Sequence, residues 1–293
     1  MARTVLVTVT YNGVQDWDEF LAGVLGQDDP DWGLVVVDNA SRDGIVERLA
    51  DVEDPRVRVV LNDDNLGVAA ANNQGIRLAL EDGAEYVLII NNDTVLPPGL
   101  VRALQACAKE QDAAMVTPLI PYDEDRERIW YGGGTFLRRG GVRNDHTNWS
   151  EPVAVVGAQP FETGYAPTTC LLVAREVFER IGMMDERYFV YWDDADFVWR
   201  ARMAGFRLVL DPRAVMYHKV STSTGGMTSD FSIRYMHRNQ MLFTRKFHGP
   251  WWTAYTAFEA MRDGVVRVLK GRDRPRQAVV RARAIVEGLR VAA

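Results

Sequence analysis

The chain has 293 residues, 47% of them hydrophobic, which is enough to bury the core of one large domain or two small ones. Its formal net charge of -6 argues against a general nucleic-acid binder, so we expect no nucleic-acid partner. No apolar run reaches the roughly 20 residues that cross a bilayer, and the first residues turn polar too soon for a signal peptide. Cys107 and Cys170 have no metal-ligand spacing, and we expect a reduced, cytoplasmic protein.

Strand and helix patterns alternate over the first 110 residues. Short apolar runs predict strands at 4–9, 34–37, 57–61 and 86–90. Apolar residues at helical spacing follow each strand, as in Trp17, Phe20 and Val24. This alternation predicts right-handed βαβ units and a parallel sheet.

All four predicted strands end in polar loop residues, namely 10–12, 38–41, 62–65 and 91–93. Because the carboxyl ends of parallel strands share one edge, we expect a nucleotide-binding rim there. Asp93 would suit a hard cation with a phosphate-bearing ligand, although Asn-Asn-Asp-Thr also fits a turn before a helix. No GxGxxG follows the first strand and no GxxxxGK[ST] occurs, which excludes a dinucleotide fingerprint and a P-loop.

The second half is less regular. Residues 118–160 are rich in glycine and charge, and fit either a substrate-facing loop or a solvated hairpin. A strand at 168–175 and a short helix at 176–181 follow, then a helix from about Asp194 to Ala204 and a strand at 207–210.

Three acids, Asp193, Asp194 and Asp196, begin that helix behind aromatic residues. Acids favour a helix N-terminus, and Asp193 could be an N-cap. Capping uses one or two acids, however, and a partly desolvated carboxylate can act as a general base.

His218 lies before Lys219 and a run of hydroxyl residues, Ser221, Thr222 and Ser223. These are suitable donors to phosphate oxygens, but a lone histidine is as often structural, so both interpretations stay open.

The C-terminal segment 251–293 is basic. From Arg262 onward it has nine Arg or Lys against three Asp or Glu, after the aromatic residues Trp251, Trp252, Tyr255 and Phe258. Gly271 and Pro275 predict a break between two helices. Such a segment could contact an anionic membrane, pack on its own domain or form a homodimer.

Seven segments, taken together, resemble an inverting glycosyltransferase of family 2 with the GT-A fold, in its rhamnosyltransferase-like branch. They are VTVTYNG, VVVDNASRDG, NLGVAAANNQGI, LIINNDT, the stretch from TTCLLVAREVF to FRLVLDP, HKVSTSTGG and YMHRNQMLF. They occur in the family's order and cover most of residues 4–247.

The resemblance implies an α/β GT-A (Rossmann-like) fold, a mostly parallel sheet flanked by helices with a C-terminal helical extension. The implied domains are 1–250, with a nucleotide-binding half at about 1–117 and an acceptor and catalytic half at about 118–250, and then the extension 251–293. The implied reaction moves a sugar, with rhamnose as one candidate, from a dTDP- or UDP-sugar to a glycan, lipid-linked or small-molecule acceptor. The implied location is the cytoplasm, with the inner face of the membrane as an alternative.

The resemblance also implies roles for individual residues. Those that would bind the nucleotide-sugar are Thr10, Tyr11, Asn12, Asp38, Asn65, Gly67, Asn73, Asn92, Asp93 and Lys219. Asp93 and His218 would lie at a Mg²⁺ or Mn²⁺ ion. Asp194 matches the catalytic base, Asp193 its partner in the family's Glu-Asp pair, and Asp196 a further acid of that motif.

The sequence departs from the family pattern at three places. The metal-binding DxD motif is Asn91-Asn92-Asp93, which leaves one carboxylate. The Glu of the Glu-Asp pair is Asp193, and the Thr-Gly-Cys segment reads Thr168-Thr169-Cys170.

Three other functions stay open. A glycoside hydrolase also uses paired carboxylates, and a nucleotide-sugar-binding protein could keep these residues without catalysis. A nucleotidyltransferase would normally have a basic, glycine-rich segment after the first strand, but residues 10–14 contain no Lys or Arg.

Overall fold

The structure is a computed structural model that describes residues 3–29, 31–220 and 228–292. The predicted phosphate donors Ser221, Thr222 and Ser223 lie outside these residues. The strands are β1 (Thr4–Thr10), β2 (Trp32–Asp38), β3 (Val57–Leu61), β4 (Tyr86–Ile90), β5 (Thr94–Val95), β6 (Met115–Pro121), β7 (Ile129–Tyr131), β8 (Gly134–Leu137), β9 (Arg143–His146), β10 (Phe161–Glu162), β11 (Cys170–Ala174), β12 (Leu208–Val215) and β13 (Tyr217–His218). The helices are α1 (Val14–Leu25), α2 (Ile45–Ala50), α3 (Val68–Glu81), α4 (Leu100–Gln111), α5 (Arg175–Ile181), α6 (Asp193–Met203), α7 (Asp230–Leu269) and α8 (Pro275–Arg290).

The main sheet has the strand order β10-β12-β6-β11-β4-β1-β2-β3, with β7 paired to β6. The four strands predicted in the first half, β1 to β4, all run parallel to their neighbours among themselves, as expected. β11 lies antiparallel between β4 and β6, while β12 runs parallel to β6. The predicted mostly parallel α/β sheet is therefore confirmed.

The core forms where the apolar strands meet their flanking helices. Trp17 and Phe20 of α1 are fully buried, as the helical spacing predicted. The small residues of α3 allow it to approach β1 closely: a Cβ added at Gly75 would lie 2.4 Å from Val7 Cγ1. This close packing fixes the loop before α3 against the carboxyl edge of the sheet.

The irregular region 118–160 contains short strands. β8 and β9 pair as an antiparallel hairpin, with Gly134 opposite His146. The hairpin is not fully solvated, because Val142 and the neighbouring Tyr131 are buried. It is therefore a separate two-stranded sheet that is packed within the second half of the chain.

The C-terminal region is a long helix α7 followed by α8. The helical path of α7 breaks at Gly249, where φ is 80°, next to Pro250, which lacks an N–H to donate. The predicted break between α7 and α8 at Gly271 and Pro275 is confirmed, but the sequence did not indicate that α7 begins as early as Asp230. Within the described ranges, no helix is long and apolar enough to cross a membrane.

Candidate active site

A cavity of about 690 Å³ opens at the carboxyl edge of β1, β2 and β4. Predicted donor-binding residues on its wall are Tyr11, Asn12, Asn65, Gly67, Asn92 and Asp93. The wall also includes Asn39 of the predicted rim and residues that the sequence did not single out, among them Gln15, Asp16, Val68, Asn72, Phe189 and Phe231. The structure thus brings residues from all four predicted rim loops into one nucleotide-sized space.

Thr10 lies behind this wall. Asn92 Nδ2 donates to Thr10 Oγ1 at 3.1 Å, and Thr10 is fully buried. A Cβ at Gly13 would come within 2.3 Å of Asn92 Nδ2, so only glycine leaves room for this amide. Thr10 and Gly13 therefore fix the orientation of Asn92.

Asn39 lies on the cavity wall at the end of β2, and the buried Asp38 lies behind it rather than on the wall. Asp38 Oδ2 accepts from Ser41 N at 3.1 Å, whereas its buried Oδ1 has no hydrogen-bond partner within the described part of the chain. Asn39 Nδ2 donates to Asn65 Oδ1 at 3.1 Å. A buried carboxylate oxygen without a donor is costly, so a ligand N–H or O–H would fit there.

At Gly67 the loop before α3 contacts the segment before α6. Its φ is 85°, and an added Cβ would lie 2.5 Å from the carbonyl oxygen of Phe189. That carbonyl accepts a 2.6 Å hydrogen bond from Val68 N at the start of α3. Any side chain at Gly67 would push Phe189 out of the cavity wall.

Asn73 lies one turn further along α3 and is not on the cavity wall. Its side chain donates to the carbonyl of Met184 at 2.9 Å and accepts from Met184 N at 3.0 Å. It therefore connects α3 to the segment before α6, and its role in donor binding remains a prediction.

Asp93 and His218 meet at the end of the cavity. Pairing of β13 with β5 places His218 opposite Thr94, and His218 Nε2 lies 3.3 Å from Asp93 Oδ1. Lys219 Nζ pairs with Asp16 Oδ1 at 3.1 Å and Glu19 Oε2 at 2.8 Å. The pairing of β5 with β13 thus brings one carboxylate, one imidazole and one ammonium group to the rim.

This donor set fits a divalent ion that takes its other ligands from a diphosphate. Mg²⁺ commonly binds one or two protein carboxylates plus phosphate oxygens, and an imidazole is better suited to a transition ion. No group of three or more His, Cys, Asp or Glu side chains in the described ranges could hold a metal by itself.

Asp193, Asp194 and Asp196 lie in the first turn of α6, directly after two residues with a strained backbone. The helix starts at Asp193, so the N-cap is Trp192 rather than Asp193. Tyr191 and Trp192 both have positive φ, 65° and 70°, which is unfavourable for aromatic residues. Asn239 of α7 holds this turn by donating to the carbonyls of Val190 at 2.8 Å and Tyr191 at 2.9 Å.

Asp194 is oriented by a residue that the sequence analysis did not find. Tyr165 Oη donates to Asp194 Oδ2 at 2.5 Å, and Ala195 N donates to Asp194 Oδ1 at 2.6 Å. Burial raises the pKa of Asp194, and the Tyr165 and Ala195 hydrogen bonds oppose that rise. The pKa of Asp193 is also raised, first by burial and then by the charge of Asp194.

Asp196 has a different environment. It is fully buried, and its oxygens accept from Arg200 Nε at 2.6 Å and Lys246 Nζ at 2.6 Å. Lys246 also binds Asp185 at 2.7 Å. This ion-pair cluster attaches α6 to α7, and a catalytic role for Asp196 stays a prediction.

Aromatic rings connect the Asp93 end to the Asp194 end. The Trp130 ring lies 4.3 Å from the His218 ring and 5.0 Å from that of His146, between centroids. His146 lies 5.9 Å from Tyr165, which binds Asp194. Trp130 and His146 come from the region of residues 118–160, where only the general signal of aromatic residues in a long loop pointed to the site.

Comparisons with known proteins agree with this arrangement. Residues 5–182 match the family "Glycosyl transferase family 2". A dTDP-rhamnosyl transferase, RfbF, of Shigella flexneri is 29% identical over 225 residues, which cover 74% of this chain and 72% of that protein. An N-acetylglucosaminyl-diphospho-decaprenol L-rhamnosyltransferase of Mycobacterium tuberculosis is 29% identical over 269 residues, which cover 85% of this chain and 86% of its own.

A solved structure has the same fold. The crystal structure of GalNAc-T7 with UDP, GalNAc and Mn2+ superposes with a TM-score of 0.65 at 14% identity. The match covers 97% of this chain and 54% of the other, so the chain spans about half the length of that protein.

The fold and the site define a GT-A glycosyltransferase, a mostly parallel sheet with a nucleotide-sized cavity at its carboxyl edge. More particularly, the chain belongs to glycosyl transferase family 2. The family predicted from the seven sequence segments is therefore confirmed.

Proposed function

We propose that this chain is an inverting glycosyltransferase that uses a nucleoside-diphosphate sugar and Asp194 as its base. One observation carries the proposal. A nucleotide-sized cavity ends at Asp93, which His218 contacts, and a row of aromatic rings connects this end to the Asp194 carboxylate, which Tyr165 holds. A single displacement needs these two features at one site, namely a place for the departing diphosphate and a base for the attacking hydroxyl.

The donor is a dTDP- or UDP-sugar, and rhamnose is the sugar we favour. Asp38 Oδ1 would accept a hydrogen bond from the base or ribose, and Tyr11 and Asn12 would line the nucleoside. The Shigella flexneri relative is named for dTDP-rhamnosyl transfer, which supports this choice. The mycobacterial relative is named for rhamnosyl transfer to a lipid-linked N-acetylglucosamine diphosphate, which favours a lipid-linked glycan acceptor over a small molecule.

Asp194 would take the proton of the acceptor hydroxyl as the oxygen attacks the anomeric carbon. The bond from that carbon to the diphosphate breaks in the same step, so the configuration inverts. Tyr165 and the Ala195 amide hold the carboxylate in one orientation, which removes the need to order it during reaction. Its burial away from water raises its basicity.

Asp93 and His218 would hold Mg²⁺ or Mn²⁺ against the donor. Such an ion neutralises the charge that develops on the departing nucleoside diphosphate. Lys219 would add a diphosphate contact from the rim. Asn65, Gly67 and Asn92 would shape the ribose and diphosphate side, with Asn73 acting from behind the wall through Met184, while Asp193 and Asp196 support Asp194 from within α6.

The domain arrangement is also a proposal, with a catalytic domain at 1–250 and an extension at 251–293. The proposed boundary coincides with the break of α7 at Gly249. Three roles were considered for the extension: packing on its own domain, peripheral membrane contact on the cytoplasmic side and homodimer formation.

The test is transfer from dTDP-rhamnose and a panel of UDP-sugars to a lipid-linked N-acetylglucosamine diphosphate, with Mg²⁺, Mn²⁺ or neither. We expect metal-dependent nucleotide release with one donor, and a product whose anomeric configuration, read by NMR, is inverted. Asp194→Asn protein serves as the control for contaminating activity. Release of free sugar from a glycoside without any nucleotide would instead indicate a hydrolase, and donor binding without transfer to any acceptor would indicate a binding protein.

A further inference from the structure

The second half of α7, residues 251–269, presents an apolar face to solvent. We call this face the apolar stripe; it consists of Trp251, Phe258, Met261, Val265 and Leu269. Trp251 is 76% exposed and Leu269 81% exposed. The spacing of these residues, seven and then three or four, places them on one side of the helix. A contiguous exposed apolar face of this kind is typical of a contact surface.

The stripe is not part of the protein core, because the opposite side of the helix already packs inward. Thr256 Oγ1 accepts a 2.9 Å hydrogen bond from Val142 N, and Ala260 is buried. Gly264 packs against the Arg281 side chain of α8, whose Cδ would lie 3.1 Å from an added Cβ. The helix therefore packs inward with one face and, among the described residues, exposes the apolar stripe on the other.

The charge around the stripe is positive. The three acids after residue 262 all pair with arginines: Asp263 with Arg281 at 2.9 Å, Asp273 with Arg267 at 2.8 Å, and Glu287 with Arg234 at 3.0 Å. Five cations of this region have no ion pair among the described residues: Lys270, Arg272, Arg274, Arg283 and Arg290. Three of them follow Leu269 directly, so unpaired positive charge adjoins the end of the stripe.

We propose that the apolar stripe binds an anionic lipid bilayer. The helix would lie along the membrane surface with the stripe among the acyl chains and Lys270, Arg272 and Arg274 at the headgroups. Charge complementarity selects this partner over a second copy of the chain. Two copies joined through their stripes would leave these cations without acidic partners, because the acids of this region already pair with arginines, whereas anionic headgroups neutralise them.

The position of the stripe connects membrane binding to catalysis, and this connection rests on the proposed function. The inward face of this helix half packs on the segment between β8 and β9, where Gly141 meets Thr256. The same hairpin contacts Tyr165 through Phe136, with ring centroids 5.6 Å apart. Since Tyr165 binds Asp194, this hairpin connects the helix that carries the stripe to the base end of the active site, where an acceptor on a lipid carrier would arrive.

The experiment is flotation of the full chain with phosphatidylcholine vesicles, with and without phosphatidylglycerol. We expect binding to the anionic vesicles that falls roughly tenfold or more in Phe258→Glu/Leu269→Glu and in Lys270→Glu/Arg272→Glu. Raising the salt to about 1 M should weaken it similarly, because the Debye length shortens to about 3 Å. Met203→Glu, which changes another exposed apolar residue at the end of α6, should bind like the parent protein.

Absence of binding to anionic vesicles would overturn the proposal, as would unchanged binding of Phe258→Glu/Leu269→Glu. Gel filtration of the same variants addresses the alternative of self-association. A dimer that this double substitution dissociates, together with no vesicle binding, would assign the stripe to an interface between copies. Donor-induced thermal stabilisation should be the same in all variants, so a failure here is distinguishable from a failure of the proposed transferase function.

Discussion

The two ends of the active site are built in different ways. The donor end consists of short loops that follow neighbouring parallel strands, so Thr10 and Asp38 are register partners at one sheet edge. The base end joins distant segments: Tyr165 binds Asp194, and Asn239 holds the turn at Val190 and Tyr191. The donor end is thus a property of the sheet, whereas the base end exists only when the second half and α7 are packed.

The two ends also differ in electrostatics. Asp93 lies on the cavity wall beside an imidazole, where it can interact with a ligand. Asp193 and Asp194 lie in surroundings that disfavour their charge, and the pKa of each is raised by burial. Substitutions at the donor end should therefore change binding, and substitutions at the base end should change turnover or its pH dependence.

The largest effect is expected for Asp194→Asn. An amide cannot accept the acceptor proton, so kcat should fall about 10³-fold. Donor affinity should stay unchanged, because Asp194 does not line the cavity. Turnover and donor-induced thermal shift measure the two quantities, with Asp51→Asn, an exposed acid at the end of α2, as the matched control. Near-full activity of Asp194→Asn would remove the base assignment.

Asp93→Asn should act on binding. We expect kcat/KM to fall about 10²-fold and the metal-dependent part of donor stabilisation to disappear, because the only carboxylate of the NND motif is lost. Asn91→Asp adds the carboxylate that this motif lacks and should strengthen metal binding in titrations. If Asp93→Asn kept a full metal-dependent thermal shift, the ion would have to be held elsewhere.

Tyr165→Phe should change the pH profile. Its hydroxyl stabilises the Asp194 carboxylate, so its loss raises the pKa of Asp194 further and moves the acid limb of kcat to higher pH. At neutral pH, kcat should fall about tenfold, as for a lost hydrogen bond to a charged group. The other titratable groups around this pair are Asp193, Asp196, Tyr131 and His146.

Tyr131→Phe is the control for this prediction. Tyr131 Oη donates to the carbonyl of Tyr165 at 2.6 Å but does not touch Asp194. Its loss should lower the unfolding free energy without moving the acid limb. Equal pH shifts in both variants would show that Tyr165 acts through general packing.

The smallest effect is expected for Asp193→Asn, on the pH dependence of stability. The folded-state pKa of Asp193 is raised, so its contribution to stability is present below its unfolded pKa near 4 and lost as pH rises through the folded pKa. An amide does not titrate, so between pH 4 and pH 8 the variant should gain stability relative to the parent protein, by at least about 1 kcal/mol. Urea unfolding at the two pH values measures this gain, and parallel pH curves would contradict it.

Much of the fold was readable from local patterns. The runs 4–9, 34–37, 57–61 and 86–90 became β1 to β4, because unbroken apolar segments between polar loops have few other stable arrangements. The sequence did not predict the part of α7 before Gly249. The residues of this part pack against three different neighbours, namely α8, the β8–β9 hairpin and the turn at Tyr191. The resulting pattern has no single apolar face to detect.

The sequence by itself determined the family, the parallel half of the sheet and the polar rim that became the cavity wall. These follow from strand polarity and spacing, which are local along the chain. Only the tertiary structure decided that Tyr165 orients Asp194, that Asn73 and Asp196 are occupied by internal contacts, and that Trp130 joins the two ends. Those contacts connect residues far apart in sequence. Tertiary packing determines which residues meet, and a short sequence motif does not contain that information.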